Sequence, residues 1–158
     1  MRVGHGFTLV EILIVVVILG ILAMIVMPKF AGVSDEARES ALLTDVQTVR
    51  RSIELYKVEH RGRLPHIDES GNVDLNAARF SDRLMKKTDR SGNIDASGAC
   101  GPYLKTWPIN PYMKEMGEMV LLVPFPLPPR NDDSGWCYCY QTGVFWPNSR
   151  KGGSSLFP

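Results

Sequence analysis

Few residues of this chain combine a side-chain type and a spacing that could carry chemistry. Three cysteines, Cys100, Cys137 and Cys139, could form a disulfide, and the adjacent carboxylates of Asp132 and Asp133 could supply hard oxygen ligands to calcium. The Cys-x-Cys pair lacks the Cys-x-x-Cys spacing of structural zinc sites. No Ser-His-Asp signature, Gly-rich phosphate loop or His-Glu-x-x-His motif occurs in the sequence, so we predict that the chain is not an enzyme.

Glu11 has the most unusual surroundings of any charged residue in the chain. It lies in a run from Phe7 to Met27 in which 18 of 21 residues are apolar. As a helix this run measures about 31 Å, close to the bilayer hydrocarbon core of about 30 Å. A carboxylate in a membrane span costs a few kcal/mol and therefore indicates a functional partner. A chain beginning at Phe7 would place its free amino group one helical turn from Glu11, in the same helix or in a neighbouring one.

The segment Gly6-Phe7-Thr8-Leu9-Val10-Glu11 resembles the class III signal of the type IV pilin and type II secretion pseudopilin superfamily. The resemblance implies cleavage between Gly6 and Phe7 by prepilin peptidase, N-methylation of Phe7, and recognition of a neighbour's terminal amine by Glu11 during filament assembly. A secretory signal fits less well because its apolar stretch is shorter. A plain single-pass anchor leaves Glu11 unexplained.

The apolar pattern predicts one helix from about Phe7 to about Val58. Residues 1–6 form the leader, residues 7–27 the transmembrane and filament-core segment, and residues 28–58 an amphipathic continuation. Gly20 and Pro28 are predicted bend positions. The apolar positions of the second half are three and four residues apart. They are Phe30, Val33, Ala37, Ala41, Leu42, Val46, Val49, Ile53 and Tyr56.

Residues 59–158 are predicted to form a globular head that packs on residues 30–58. We expect a short helix from about Leu75 to Lys87, with Asp74 as its N-cap. His60 and His66 flank a basic turn and are expected to be solvated. Strands are expected at Glu118–Val123, Trp136–Gln141 and Val144–Trp146, the last two joined by a hairpin at Thr142-Gly143. The fold class is therefore α+β, a long N-terminal helix packed on a small antiparallel sheet, and the resemblance implies the lollipop shape of pilins.

The segment Gly101-Pro102-Tyr103-Leu104 resembles the major pseudopilin subfamily. Its members bind calcium in a C-terminal loop, which here would use Asp132 and Asp133. The basic and neutral segment Ser149–Ser154 replaces the usual acidic loop, so an ordinary β-turn at the two aspartates is the alternative, and we expect no required cofactor. Export of the head to the periplasm allows a disulfide from Cys100 to Cys137 or Cys139, with three free thiols as the alternative.

Length and charge exclude several classes of protein. The chain has 158 residues and a formal net charge of +1, too little basic excess for a nucleic-acid binder. The resemblance implies a structural subunit of a type II secretion pseudopilus, anchored in the inner membrane with its head in the periplasm. Its expected partners are further copies, prepilin peptidase, the inner-membrane secretion platform, other pseudopilins and membrane lipid. A type IV pilin for adhesion, motility or DNA uptake is the first alternative, and a membrane-anchored periplasmic binding module that never polymerises is the second.

Overall fold

The computed structural model describes residues 8–113, 115–125 and 133–149, with the backbone alone described for residues 24–34. Five elements follow one another along the chain. They are α1 (Leu9–Glu59), α2 (Ala77–Met85), β1 (Val120–Val123), β2 (Trp136–Cys139) and β3 (Phe145–Pro147). The chain divides into two compact units, Met1–Ala37 and Arg38–Pro158. The α+β class is confirmed.

The described part of the first unit is the N-terminal portion of α1. Every large apolar side chain from Leu9 to Leu22 is 48–85% exposed. No helix that meets the length and apolarity of a membrane span is found among the residues that the structure describes. Helix α1 continues through Gly20 and Pro28, so neither residue ends it, and a bend at either position stays a prediction.

The second unit is built around the later turns of α1. Its predicted apolar stripe is confirmed from Leu42 onward, since the side chains of that stripe are at most 1% exposed, whereas Ala37 and Ala41 are exposed. The stripe packs against α2 and one face of the sheet in a single core. The largest fully buried side chains of this core, besides those of α1, are Phe80, Trp136, Tyr138 and Phe145.

The sheet has the order β1-β2-β3 and is mixed rather than antiparallel. Strands β1 and β2 run parallel, with Val120 opposite Trp136, so the predicted antiparallel sheet is wrong for this pair. The sequence length permits this pairing, because the 12 residues from Pro124 to Gly135 are as many as the crossover between parallel strands requires. Strands β2 and β3 are antiparallel, as predicted. Their hairpin turns at Gly143, which has a φ of 75° and donates its N–H to the carbonyl of Cys139 at 2.8 Å.

Helix α2 is shorter than predicted, and its N-cap is Asn76 rather than Asp74. The Asn76 side-chain oxygen accepts the N–H of Arg79 at 3.1 Å, which satisfies one of the free donors of the first turn. Asp74 instead pairs with two arginines of α2, at 3.6 Å from Arg79 and 3.3 Å from Arg83. The Asp74 carboxylate thus stabilises α2 through ion pairs with these arginines and does not cap the helix.

Candidate assembly site

The first turn of α1 is closed by a reciprocal capping box between Thr8 and Glu11. The Thr8 hydroxyl oxygen accepts the N–H of Glu11 at 3.2 Å, and the Glu11 carboxylate accepts the N–H of Thr8 at 3.5 Å. A Thr at the N-cap and a Glu three residues later is the usual sequence of this motif. Its presence could have been predicted from Thr8 and Glu11 alone. The capping box turns the carboxylate back toward the start of the helix.

The capping box leaves Glu11 available to a cation. Glu11 is exposed, and it carries the only ionisable side chain among residues 8–23. Its charge lies at the positive end of the helix dipole, which favours a carboxylate there. The arrangement presents one anionic group at the end of an otherwise apolar helical surface. Such a group can bind an ammonium ion supplied by another chain.

The predicted processing residues Gly6 and Phe7 lie outside the described residues. One consequence for them follows from the capping box. The N–H that Glu11 accepts belongs to the peptide bond between Phe7 and Thr8, which cleavage between Gly6 and Phe7 would leave intact. The capping box is therefore compatible with the processed N-terminus that the motif implies.

The three cysteines are buried free thiols, so the predicted bridge from Cys100 to Cys137 or Cys139 is not formed in this structure. Cys137 and Cys139 pack with Trp146 on one face of the sheet, in a cluster separate from the core on α1. Cys100 is placed elsewhere, because its backbone pairs with that of Thr88 through two hydrogen bonds of 3.0 Å. Burial raises the pKa of the Cys137 thiol to about 12, so this thiol is unreactive at neutral pH.

The predicted calcium ligands are described only in part, since Asp132 lies outside the described residues. Asp133 accepts a hydrogen bond from the side-chain amide of Asn148 at 3.1 Å, and the same amide donates to the Ser134 hydroxyl at 2.9 Å. No group of three or more metal-ligating side chains occurs within the described ranges. One carboxylate falls well short of the six to eight oxygen ligands that calcium takes. The calcium site therefore stays a prediction.

His60 and His66 are buried, contrary to the expectation that they are solvated. The His60 ring stacks on Tyr56 with centroids 3.7 Å apart, and its nitrogens bond the Tyr56 carbonyl and the Thr88 hydroxyl at 2.8 and 2.9 Å. His66 lies 3.0 Å from the Tyr138 hydroxyl. Burial, with a smaller contribution from the charge of Arg83, lowers the pKa of His66 to about 4. Both histidines join the loops to the core.

Arg83 is a charged residue that, like these histidines, is buried in the head. Its guanidinium is buried and donates to the carbonyls of Gly92 and Pro65 at 3.2 and 2.9 Å. It also pairs with Asp74, as described above. These contacts use the donors of the guanidinium within the head, so we assign Arg83 a structural role.

Comparison with known proteins gives two findings. Residues 1–27 match the family model described as the prokaryotic N-terminal methylation motif. The chain is 40% identical over 60 residues to the type II secretion system core protein G of Vibrio cholerae, which is 38% of this chain and 41% of that protein. It is 40% identical over 59 residues to the protein of the same name from Pseudomonas aeruginosa, covering 37% and 42% of the two chains.

A longer alignment exists with the type II secretion system core protein G of Aeromonas hydrophila. It has 27% identity over 111 residues, which are 70% of this chain and 69% of that protein. The aligned parts of the first two relatives span about two fifths of those proteins. No solved structure gives a significant match to this chain.

Proposed function

We propose that this chain, whose residues 1–27 match the prokaryotic N-terminal methylation motif, belongs to the type IV pilin and pseudopilin superfamily and is a structural subunit of a type II secretion pseudopilus. The observation that carries the proposal is the N-terminal part of α1. There a surface that is apolar on every side is exposed, and it holds a single carboxylate next to the predicted processing site. The similarity to core protein G, which reaches beyond residues 1–27, supports a pseudopilin over a type IV pilin.

The exposed apolar part of α1 needs a cover that the described residues do not provide. Twelve large apolar side chains from Leu9 to Leu22 are each at least 48% exposed. Leaving this much apolar surface in water is unfavourable, at about 25 cal/mol per Å². In our proposal lipid of the inner membrane covers the segment before assembly, and the same segments of neighbouring copies cover it in the filament. The head then lies in the periplasm.

In our proposal Glu11 gives specificity to the step in which neighbouring copies replace lipid around this segment. An isolated carboxylate is costly in an apolar environment, and an ammonium group removes most of that cost. After processing, the N-methylated amine of Phe7 is such a group. We propose that the Glu11 carboxylate of one copy receives the terminal amine of its neighbour, so that only correctly placed copies neutralise both charges.

No cofactor has a role in this proposal, and the force for assembly comes from other proteins of the system. Prepilin peptidase, the inner-membrane platform and other pseudopilins are the partners that it requires. The calcium site at Asp132 and Asp133 stays a separate prediction.

Two substitutions at Glu11 test the proposal. Glu11→Ala should insert in the membrane and be processed normally, yet the amount of sheared filament should fall at least tenfold. Glu11→Gln retains a side chain that can complete the capping box but has no charge, and we expect the same loss. Filament recovery and the N-terminal residue of each variant are the measurements. Normal assembly of Glu11→Gln would mean that Glu11 acts only as a helix cap.

A further inference from the structure

The C-terminal end of α1 borders a recess of about 440 Å³ in the head. Two arginines, one acid and three small or apolar residues line it. They are Val58, Glu59, Arg61, Arg90, Ala99 and Cys100. Arg61 and Arg90 are 29 positions apart in sequence, so only the fold brings them to one opening.

Arg61 occupies a backbone position that usually belongs to glycine. Its φ is 58°, in the left-handed region, and the N–H of Gly62 bonds the carbonyl of Lys57 at 2.8 Å. This is the Schellman end of a helix, in which the left-handed residue is most often glycine because a Cβ is disfavoured there. A long cationic side chain at this position is maintained against a local preference. Such an outlier points to a role outside local folding.

The two guanidinium groups of the recess have no hydrogen bond or ion pair to the part of the chain that the structure describes, and both residues are exposed. The acid of the recess is already engaged, since Glu59 accepts the hydroxyl of Tyr103 at 2.5 Å. Val58 adds an apolar wall that is 76% exposed. Two guanidinium groups beside an apolar side chain can bind a segment with glutamate side chains, since each guanidinium can form two hydrogen bonds to a carboxylate and the apolar side chain can pack on the glutamate methylenes.

An acidic segment of that kind lies on α1 itself. Every residue from 35 to 41 is exposed, and this stretch contains three acids and one arginine, a net charge of −2. Glu36 and Glu39 are three residues apart and therefore share one side of the helix. The proposed contact between Glu11 and a neighbour's Phe7 amine joins the same ends of two α1 helices. Neighbouring α1 helices of the proposed filament therefore run parallel, and the end of one α1 is presented to an earlier stretch of another.

We propose that the recess at Arg61 and Arg90 binds Glu36 and Glu39 of a second copy of this chain. The inference rests on the proposed function and adds to it a head-level contact separate from Glu11. Arg61 lies 22 residues after Glu39, which is about 33 Å of helix. The two copies are then offset along α1 by about that distance.

Charge exchange in the full-length chain, scored by the yield of sheared filament, tests the contact. Arg61→Glu with Arg90→Glu should lower the yield at least tenfold, and so should Glu36→Arg with Glu39→Arg. All four substitutions together should restore it to within threefold of the wild type. Filament yield within twofold of the wild type in either pair, or the absence of restoration in the fourfold variant, would overturn the proposal.

Two further variants separate binding from folding. Lys87→Glu makes the same change of charge as one of the arginine substitutions, at an exposed lysine that does not line the recess, and its yield should stay within twofold. Arg61→Gly should melt at a temperature no lower than that of the wild type, because glycine suits the left-handed backbone, while its filament yield should fall at least fivefold. A normal yield for Arg61→Gly would contradict the proposal.

The failure of this inference is distinguishable from that of the proposed function. A wild-type chain that forms no filament overturns both. A chain whose assembly requires Glu11 but tolerates both arginine substitutions keeps the proposed function and removes the recess from it.

Discussion

The two halves of helix α1 have the same secondary structure and opposite environments. From Leu9 to Leu22 the large apolar side chains lie on all sides of the helix and are 48–85% exposed. From Leu42 to Tyr56 they recur every three or four residues and are at most 1% exposed. The second stretch is covered by α2, the sheet and their loops, whereas no residue that the structure describes covers the first.

The difference shows that the apolar content of a helix does not by itself predict whether its side chains are buried within the same chain. In the later turns, burial of one face stabilises the head of the same chain. In the earlier turns, no described residue covers the same residue types, and in our proposal lipid or other copies cover them. The predictions below test this contrast between the stretches that we call the buried stripe, Leu42–Tyr56, and the exposed stretch, Leu9–Leu22.

The largest expected effect comes from one substitution made in both stretches. Leu42→Ala should lower the free energy of unfolding of the head by about 2–5 kcal/mol, because it leaves a cavity in a fully packed core. Leu13→Ala, at a side chain that is 56% exposed, should change it by less than about 0.5 kcal/mol. Denaturant unfolding of the full-length chain in detergent measures both. Equal effects of the two substitutions would remove the contrast between the stretches.

A smaller effect is expected from pH, and only in the head. His66 has a pKa of about 4 in the folded chain against 6.5 when unfolded. Between these values the unfolded chain binds a proton that the folded chain does not. The contribution of neutral His66 is therefore fully present above about pH 6.5 and is lost as the pH falls toward 4, by an amount of order 2–3 kcal/mol.

The control for this pH dependence is His66→Gln, which cannot titrate and can still bond the Tyr138 hydroxyl. Its free energy of unfolding should fall less between pH 7 and pH 4 than that of the wild type. The same fall in both proteins would show that another group is responsible.

The smallest expected effect concerns the cap of α2. Asn76→Ala removes the acceptor for the N–H of Arg79 and should cost about 1 kcal/mol of head stability. Asn76→Asp retains an acceptor, and its stability should stay within a few tenths of a kcal/mol of the wild type. Thermal unfolding of the three proteins decides. A larger loss for Asn76→Asp than for Asn76→Ala would contradict the assignment of the cap.

The fold was predictable where a periodic pattern decides local structure. The stripe from Leu42 to Tyr56, the helix near Phe80 and the Gly143 hairpin follow from spacing and turn chemistry. The direction of β1 was not predictable in this way. The parallel pairing of β1 with β2 joins segments that are separated by 12 residues, and no pattern within either strand encodes that direction.

Polar residues of the head were the least predictable. His60 and His66 have the local sequence of a solvated loop, and they contact Thr88 and Tyr138, which are 28 and 72 positions away in sequence. The choice between a bridge and three free thiols was open for a similar reason. The spacing of Cys137 and Cys139 places both on one face of β2, but it does not tell which face Cys100 reaches.

The candidate functional residues also include one group that the sequence reveals and one that only the fold reveals. Glu11 was predictable because a charge inside an apolar run is visible in the sequence, and the capping box with Thr8 could have been read from the same residues. The recess at Arg61 and Arg90 was not, since it depends on a left-handed backbone and on the approach of two loops.

The central claim is that this chain is a processed pilin-like subunit, and the identity of its mature N-terminal residue tests it most directly. Mass spectrometry of the protein purified from membranes should find N-methylated Phe7 as the first residue, with residues 1–6 removed. A mature protein that retains Met1 would contradict the account, because Phe7 would then carry no free amine for Glu11 to receive.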